Sequence, residues 1–200
     1  MPSRAWKELV MDFFGPIPNG NELMVILDEF SRFPVVEEVK TTAAEYVLPK
    51  MDDVFSLMGI PTDLGTDNGP PFNGSRFTSF CDYYGINHTK ITPYHPPANG
   101  KAEKFMTSLG KVFRNAITEK KDWRQELNSF LRNYRSTPHV TTGIAPATLL
   151  FGDNRTNRLP KIIEEVTTID EYTKLARERD DKAKSEAKTY TDKRKKSQGA

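Results

Sequence analysis

Three observations predict that the chain folds as one α/β domain around a mixed β-sheet. Three β-type runs separated by turns come first, at residues 6–14, 22–29 and 33–40, and they suggest an antiparallel meander. Strand-like and helix-like runs then alternate, which is typical of β-α-β-α units. Of the 200 residues, 36% are hydrophobic, enough for one sizeable core and too few for a comfortable second domain. Together these observations predict a mixed sheet covered by helices.

The later half of the predicted sheet alternates with two helices. Apolar side chains at helical spacing predict a first helix that stops at Gly59, with Pro49 expected to kink it or to end its first part. Residues 62–66 form a short predicted fourth strand, residues 75–85 a helix, and residues 86–91 a fifth strand. The fourth and fifth strands therefore each follow a helix.

A loop and a long amphipathic helix follow the fifth strand. Residues 92–100 are rich in Pro, Gly and Asn and predict a surface loop. From residues 101–117 apolar side chains share one face of a predicted helix, and Glu103 lies at the border of that face. Asp122 is positioned to cap the next helix, predicted over residues 123–135.

The chain changes character near residue 160. We assign residues 1–160 to the folded domain and residues 161–200 to a charged tail that is largely helical or disordered. Thr168 and Glu171 have the spacing of a capping box for a long exposed helix. The last eight residues are expected to be disordered.

Composition restricts the class of protein. The lone cysteine, Cys81, excludes an internal disulfide and predicts an inert core thiol in a reducing compartment, the cytosol or nucleus. No apolar run is long enough to cross a bilayer, so a soluble protein without membrane contact is expected. Residues 1–70 carry 12 acidic and 5 basic side chains, whereas residues 101–135 carry 4 and 9. This asymmetry favours an enzyme that binds metal and then a polyanion, although ordinary solvated helix faces explain it equally well.

Three carboxylates stand out by position: Asp12 in the first strand, Asp67 just after the fourth, and Glu103 at the start of the long helix. Fifty-four residues separate the first two and thirty-five the last two. If the first and fourth strands are neighbours, Asp12 and Asp67 lie side by side and Glu103 can lean over them. Carboxylates packed that closely repel, so a cation is the natural counter-charge, and an all-oxygen ligand set favours Mg²⁺ or Mn²⁺ over zinc.

Each acid also has a purely structural interpretation. Asp12 could face solvent from an amphipathic strand, Asp67 could serve only its own turn, and Glu103 could be a favourable first-turn acid. Taken singly, these interpretations are the more common outcome. The sequence motifs around the acids change that balance.

Several short motifs surround the three acids. The first half of the chain contains Asp12-Phe13-Phe14-Gly15-Pro16, Leu27-Asp28-Glu29-Phe30-Ser31-Arg32-Phe33-Pro34, and Asp67-Asn68-Gly69 with Phe72. The second half contains Pro93-Tyr94-His95-Pro96, Asn99-Gly100-Lys101-Ala102-Glu103, Thr137-Pro138-His139, Thr142-Gly143, Pro146 and Leu150-Phe151-Gly152. Over about residues 6–160 these motifs resemble the integrase catalytic cores of retroviruses and Ty3/Gypsy-type long-terminal-repeat retrotransposons. The gap of thirty-five residues before Glu103 is the family's D,D-35-E spacing.

The resemblance implies a fold and a chemistry. The fold would be the five-stranded RNase H-like sheet, a three-strand antiparallel meander plus two parallel strands, flanked by helices. Asp12, Asp67 and Glu103 would be the catalytic metal ligands, holding Mg²⁺ or Mn²⁺, with two ions expected when DNA is bound. Water as nucleophile gives DNA 3′-end processing, and a 3′-hydroxyl gives strand transfer, so the chain would be a polynucleotidyl transferase or endonuclease. Asp28 also matches a family position, and we interpret it as structural.

The resemblance also implies partners. Element ends and target DNA would be bound in the nucleus by a homo-oligomer, after a cytoplasmic stage. The expected DNA-binding residues lie at the start and along the basic side of the long helix: Asn99, Gly100, Lys101, Lys104, Lys111 and Arg114. Asn99 and Gly100 would in addition cap the helix. Ordinary solvated lysines remain an equally good interpretation of the basic side.

Departures from the family pattern leave other functions open. Lys104 stands where arginine is common, and Thr107 and Gly110 replace positions that are often basic, which weakens the expected DNA affinity. The family's N-terminal zinc module is not found in this sequence, so a truncated or co-opted copy acting as a non-catalytic DNA- or protein-binding module is an alternative. A cellular RNase H-type nuclease is a third, disfavoured by the integrase-like segment from Thr137 to Gly152.

Overall fold

The architecture of the protein is that of a computed structural model, which describes residues 1–90, 96–152 and 168–198, with side chains for 1–90, 104–152 and 168–189. Its strands are β1 Glu8–Phe14, β2 Glu22–Asp28, β3 Pro34–Val39, β4 Asp63–Thr66 and β5 Asn87–Lys90. Its helices are α1 Ala44–Met58, α2 Ser75–Tyr84, α3 Pro96–Thr118, α4 Trp123–Ser136, α5 Pro146–Phe151 and α6 Ile169–Gln198. The described chain divides into two compact units, residues 2–132 and residues 133–200 together with Met1.

The first unit is built on a five-stranded mixed sheet with the strand order β3-β2-β1-β4-β5. β1, β2 and β3 pair antiparallel, while β4 pairs parallel to β1 and to β5. This confirms the meander with two added parallel strands. β1 lies at the centre, and its consecutive residues Leu9, Val10 and Met11 are all buried, as expected for a strand covered on both faces.

Helices α1 and α2 pack together beside the sheet. Phe55 of α1 lies 6.2 Å from Phe80 and 6.5 Å from Tyr84 of α2, measured between ring centroids. α1 ends at Gly59, as the sequence predicts, but it runs without a break through Pro49. The expectation that Pro49 ends the first part of this helix is therefore wrong. Pro49 removes the hydrogen bond that its own N–H would make, and the buried side chains of Val47 and Met51 hold the turns on either side of it.

The long helix begins earlier than its sequence suggests. α3 starts at Pro96, so residues 96–100 are helical and not part of a surface loop. Proline is well suited to a first helical turn, where its missing N–H would have no helical partner and its fixed φ is already helical. Because Asn99 and Gly100 lie inside α3, they do not cap it. Residues 91–95, which include the predicted end of β5 and His95, lie outside the described residues.

The start of α4 follows the prediction closely. The backbone N–H of Arg124 donates to Oδ1 of Asp122 at 2.8 Å, so Asp122 caps the helix that begins at Trp123. The Arg124 guanidinium lies over the Trp123 ring, 4.2 Å from its centroid, and pairs with Glu38 of β3. The first turn of α4 is therefore attached to the edge of the sheet.

The second unit contains α5 and α6. The Thr168 hydroxyl accepts a hydrogen bond from the Glu171 N–H at 3.3 Å, and the Glu171 carboxylate accepts one from the Thr168 N–H at 2.9 Å. This confirms the predicted capping box. α6 then continues to Gln198, so the expectation of disorder is wrong for residues 193–198, where the helix simply extends through a lysine-rich segment of good helix formers. The predicted boundary at residue 160 lies outside the described residues.

Among the helices that the structure describes, none is both long enough and apolar enough to cross a bilayer.

Candidate active site

The register of two neighbouring strands places the first two predicted acids side by side. β1 and β4 run parallel, and Met11 and Thr66 are their last paired residues. Asp12 and Asp67 directly follow these two residues in the sequence. They therefore occupy adjacent positions at the carboxyl end of the parallel β1–β4 pair. This is the arrangement that the sequence predicts if the first and fourth strands are neighbours.

The face of β1 that carries Asp12 is the face covered by α3. Asp12 and Phe14 point to the same side of the strand because side chains two residues apart share a face. The Phe14 ring stacks on Phe113 of α3 at 5.4 Å, and a Cβ on Gly110 would lie 3.7 Å from Phe14. α3 therefore packs against the Asp12 side of the sheet.

Glu103 belongs to this same helix. Its backbone lies in α3, seven residues before Gly110, and seven residues are close to two full turns of an α-helix. Positions 103 and 110 therefore share a helix face, the one that Gly110 presents to β1. The side chain of Glu103 lies outside the described residues, so the structure brings together Asp12 and Asp67 and leaves the third acid as a prediction.

The two described acids differ in exposure and in local hydrogen bonding. Asp12 is half-buried, and its Oδ1 accepts a hydrogen bond from the Phe13 N–H at 2.8 Å. Asp67 is exposed, and its Oδ1 accepts one from the Gly69 N–H at 3.1 Å. Both carboxylates are therefore held by nearby backbone, and the Asp67 oxygens lie against Gly69, where an added Cβ would come within 3.2 Å of Oδ2.

The loop after Asp67 is anchored by an aromatic side chain. Phe72 is buried, stacks on Phe13 at 5.4 Å, and meets Phe77 of α2 edge-on at 5.2 Å. The Phe72 N–H also donates to the Gly69 carbonyl at 2.9 Å, which closes a turn. The Phe72 position in the sequence motif therefore fastens the Asp67 loop to the sheet and to α2.

The donor chemistry at this end of the sheet fits a hard divalent cation. Two carboxylates from adjacent strands offer oxygen ligands, as Mg²⁺ and Mn²⁺ prefer. Within the described side chains no group of three His, Cys, Asp or Glu residues is close enough to bind a metal ion. Glu103 is not among these side chains, because only its backbone is described. Asp12 and Asp67 thus occupy adjacent positions, and their role as metal ligands stays a prediction.

Asp28, by contrast, is a structural residue. It is fully buried at the end of β2, where it accepts hydrogen bonds from the backbone N–H groups of Trp6, Phe30 and Ser31 and from the Ser31 hydroxyl. Burial raises the pKa of this carboxyl above its usual 3.8, while the hydrogen bonds from Ser31, Phe30 and Trp6 pull the pKa down. A carboxylate with four internal donors has little capacity left for a metal, which agrees with its predicted structural role.

Sequence reasoning missed two residues beside Asp67. The Thr66 hydroxyl, which is buried, lies 2.8 Å from the Asp67 carbonyl oxygen and 2.8 Å from Nε2 of His88 on β5. No local sequence signal connects residues 66 and 88, because the contact arises from the parallel pairing of β4 and β5. The presence of a threonine directly before the acid is the only hint that the sequence offers.

The predicted DNA-binding residues are in part described. Lys104, Lys111 and Arg114 are all exposed along α3, away from buried Phe105 and Leu109. Only the backbone is described for Asn99, Gly100 and Lys101. The exposure of Lys104, Lys111 and Arg114 fits both of the roles that the sequence leaves open, contact with a polyanion and ordinary solvation.

The lone cysteine has no place in this chemistry. Cys81 is buried in α2, and burial, with a smaller effect from Asp82, raises the pKa of its thiol to about 11. Because the thiolate is the reactive form, Cys81 is a poor nucleophile at neutral pH, as the sequence predicts.

Solved structures with the same architecture define the class of fold. The HTLV-2 integrase catalytic core domain in complex with magnesium aligns with a TM-score of 0.62 and 19% identity, over 75% of this chain and 99% of that chain. A chain of the simian T-cell lymphotropic virus intasome in complex with the PP2A regulatory subunit B56 gamma aligns with a TM-score of 0.65 and 20% identity, over 82% of this chain and 59% of that chain. The sheet and its helices thus have the RNase H-like fold of integrase catalytic cores.

Sequence relatives give the family. A family model described as integrase core domain matches residues 2–96. The retrovirus-related Pol polyprotein from transposon 412 of Drosophila melanogaster is 30% identical over 89% of this chain, and the Tf2-3 transposon polyprotein of Schizosaccharomyces pombe is 26% identical over 72%. Residues 2–96 therefore belong to the integrase core domain family, and the similarity to retroviral and transposon Pol polyproteins extends over most of the chain.

The match covers a small part of each relative. The chain spans 15% of the length of the transposon 412 polyprotein and 12% of a Caenorhabditis elegans relative, K02A2.6, that is 33% identical over 76% of this chain. The family is one of polynucleotidyl transferases. The similarity therefore concerns the integrase core, and the activities of whole polyproteins do not transfer with it.

Proposed function

We propose that this chain is a metal-dependent DNA integrase core that carries out 3′-end processing and strand transfer. Asp12, Asp67 and Glu103 would bind Mg²⁺ or Mn²⁺, with two ions present when DNA is bound. The observation that carries the proposal is the β1–β4 register, which puts Asp12 and Asp67 at adjacent positions on neighbouring strands. The packing of α3 on the Asp12 face of β1 supports the third ligand, since Glu103 belongs to α3.

The chain's own residues would bind and orient the reacting groups. Bound divalent cations supply Lewis acidity, which lowers the pKa of water or of a DNA 3′-hydroxyl and offsets charge on the phosphate. Asp12, half-buried and hydrogen-bonded to the Phe13 N–H, would hold its oxygen in a fixed direction. Asp67 is open to solvent, so a DNA phosphate can approach it from outside the sheet.

The basic side of α3 would hold the DNA backbone. Exposed Lys104, Lys111 and Arg114 would contact phosphates. Asn99, Gly100 and Lys101, which lie nearer the start of the same helix, would add further contacts. Such contacts position DNA without reading its sequence and weaken as salt rises. Lys104 presents a point charge rather than the two-pronged donor of arginine, so its contact would be the less directional one.

The proposal extends to assembly and location. The HTLV-2 core has been solved in dimeric and trimeric forms, and the simian virus integrase as part of an intasome. By analogy this chain would act as a homo-oligomer on element ends and target DNA. Chromosomal DNA as a target places that activity in the nucleus.

A disintegration assay, which reverses strand transfer on a branched DNA, tests the proposal. The native chain is compared with Asp67→Asn and Glu103→Gln in Mg²⁺ and in Mn²⁺. Asp63→Asn is the matched control, because Asp63 lies at the opposite end of the same strand, β4, and its carboxylate accepts a hydrogen bond from Asn87. The native chain and the control should release product, and the two site variants should not.

Two results would contradict the proposal. Native activity that survives Asp67→Asn or Glu103→Gln would show that the acids are not the catalytic ligands. A native chain as inert as both variants, where a related core works, would leave the non-catalytic binding module as the function, and DNA binding without turnover would then be the positive finding.

A further inference from the structure

The hydroxyl of Thr66 has two hydrogen-bond partners but only one hydrogen. Its Oγ1 lies 2.8 Å from the carbonyl oxygen of Asp67 and 2.8 Å from Nε2 of His88. A carbonyl oxygen can only accept, so the Thr66 hydrogen must point to Asp67 if that bond is made. Nε2 of His88 must then donate to Thr66, which fixes the ring with its hydrogen on Nε2.

His88 is placed for this contact by the sheet. β4 and β5 pair parallel with Leu64 opposite His88, so Thr66 and His88 are diagonal neighbours on one face of adjacent strands. The ring also packs edge-on against Phe77 of α2, with centroids 5.0 Å apart. Sheet register and helix packing together leave the imidazole little freedom to turn away from Thr66.

The ring is neutral at physiological pH. Partial burial lowers the pKa of His88 below its usual 6.5, and the charge of Lys90 lowers it further. A neutral imidazole carries its one hydrogen on either Nδ1 or Nε2, whereas a charged one carries hydrogens on both. The contact with Thr66 therefore selects the neutral tautomer that has its hydrogen on Nε2.

Asp67 is held at both of its ends. Thr66 holds its carbonyl group, and the Gly69 N–H holds its carboxylate at 3.1 Å. The two peptide planes that flank the Asp67 Cα set the direction of its side chain. An error in the carbonyl direction would therefore move the carboxylate, which lies at an exposed loop position with little packing of its own.

We propose that His88 is a positioning residue for Asp67. Through the Thr66 hydroxyl it fixes the Asp67 carbonyl, and thereby directs the Asp67 carboxylate toward the position beside Asp12. This inference rests on the proposed function, because it gives the Asp67 carboxylate the role of a metal ligand. His88 itself touches neither metal nor DNA.

The alternative role for His88 is packing against Phe77, and two substitutions separate the roles. His88→Phe keeps an aromatic ring on Phe77 and removes the N–H. His88→Gln gives up the ring and keeps an N–H donor at a similar distance from the backbone. Thr66→Val and Thr66→Ser form the matching pair at the other partner, since valine keeps the shape of threonine and serine keeps its hydroxyl.

The first measurement is Mn²⁺ affinity of the full chain, from the electron paramagnetic resonance signal of free Mn²⁺. His88→Phe and Thr66→Val should each weaken binding by about 10- to 100-fold, the usual effect of losing an outer hydrogen bond to a metal ligand. His88→Gln and Thr66→Ser should stay near the native affinity. Because the two residues act in one chain of hydrogen bonds, the double variant should be no weaker than the weaker single variant.

The second measurement needs no metal. Hydrogen exchange of the Gly69 amide, followed by nuclear magnetic resonance, reports the bond to the Asp67 carboxylate. Protection should fall in His88→Phe and remain in His88→Gln, with similar thermal unfolding in the two variants, because each gives up one of the two contacts of the ring.

Equal Gly69 exchange in the native chain and in His88→Phe would overturn the positioning role. So would a His88→Gln variant that loses as much Mn²⁺ affinity as His88→Phe, because packing would then be the cause. The proposed function fails differently: Asp67→Asn would bind Mn²⁺ as well as the native chain does, whatever the His88 variants show.

Discussion

Asp28 and Asp67 occupy comparable places in the sheet and have opposite environments. Each lies at the end of a strand, and each accepts a hydrogen bond from the N–H two residues further on, Phe30 for Asp28 and Gly69 for Asp67. Asp28 is fully buried and has further donors from Trp6 and Ser31, whereas Asp67 is exposed.

The difference separates a structural acid from a reactive one. A buried carboxylate surrounded by donors stabilises the turn that it closes, and it has no approach for a ligand. An exposed carboxylate contributes little to stability, but its remaining oxygen lone pairs can reach a cation or a substrate. The local sequence does not reveal this difference, because both acids simply start a turn. Their burial decides it, and mutations should therefore affect stability at one acid and activity at the other.

The largest effect expected is the loss of activity in Asp67→Asn. Removing one charged ligand should lower disintegration activity by at least about 100-fold, the scale found when a preorganised charge-stabilising group is lost. The free energy of unfolding should change by less than about 0.5 kcal/mol, because the side chain is exposed. Denaturant unfolding and the activity assay, run on the same preparation, check both parts.

Asp28→Asn should show the reverse pattern. In the native protein, Oδ2 of Asp28 accepts hydrogen bonds from the Ser31 N–H and from the Ser31 hydroxyl. In the variant, the amide NH₂ would stand in place of Oδ2, and both donors would lose their acceptor. Unsatisfied buried donors should cost about 3 kcal/mol of unfolding free energy. Activity per folded molecule should be retained. A stable but inactive Asp28→Asn protein would break the comparison.

Ser31→Ala should give a smaller loss of stability by the same mechanism. The Ser31 hydroxyl donates to Asp28 at 2.6 Å and accepts from the Phe33 N–H at 3.1 Å, so its removal leaves two buried groups incomplete. We expect a cost of about 2 kcal/mol with native Mn²⁺ affinity. Urea unfolding measures the first quantity, and an unchanged midpoint would show that the Asp28 network is not stabilising.

Gly69→Ala should give the smallest effect of the four variants. It should act at Asp67, the reactive acid, and lower Mn²⁺ affinity rather than stability. A Cβ at this position would lie 3.2 Å from Oδ2 and 3.4 Å from Oδ1 of Asp67, tight enough to displace the carboxylate. Mn²⁺ affinity should fall by about tenfold, as for other losses of ligand support. Stability should remain near native. Calorimetric titration with Mn²⁺ provides the measurement.

Much of the fold could be predicted because its signals are local. Gly59 ends α1, Asp122 caps α4, and Thr168 with Glu171 forms a capping box, each within a few residues of the helix end that it defines. The start of α3 could not be predicted in the same way. Pro96 fits a first helical turn as well as it fits a loop, so composition alone favoured the loop.

The candidate site likewise contains one part that the sequence could predict and one part that it could not. The sequence places Asp12 and Asp67 side by side only on the condition that the first and fourth strands are neighbours, and the observed strand order meets that condition. The contact between Thr66 and His88 depends on the pairing of β4 with β5 and on the side that each residue faces. Non-local register of this kind leaves no trace in a single sequence.

The most direct test of the central claim is a crystal structure of the chain soaked in Mn²⁺, with the ion located by its anomalous scattering. The account predicts a peak about 2.1 Å from carboxylate oxygens of Asp12 and Asp67, with an oxygen of Glu103 within reach of the same ion or of a second one. A peak at other side chains, or Glu103 turned away from both aspartates with Mn²⁺ bound, would contradict it.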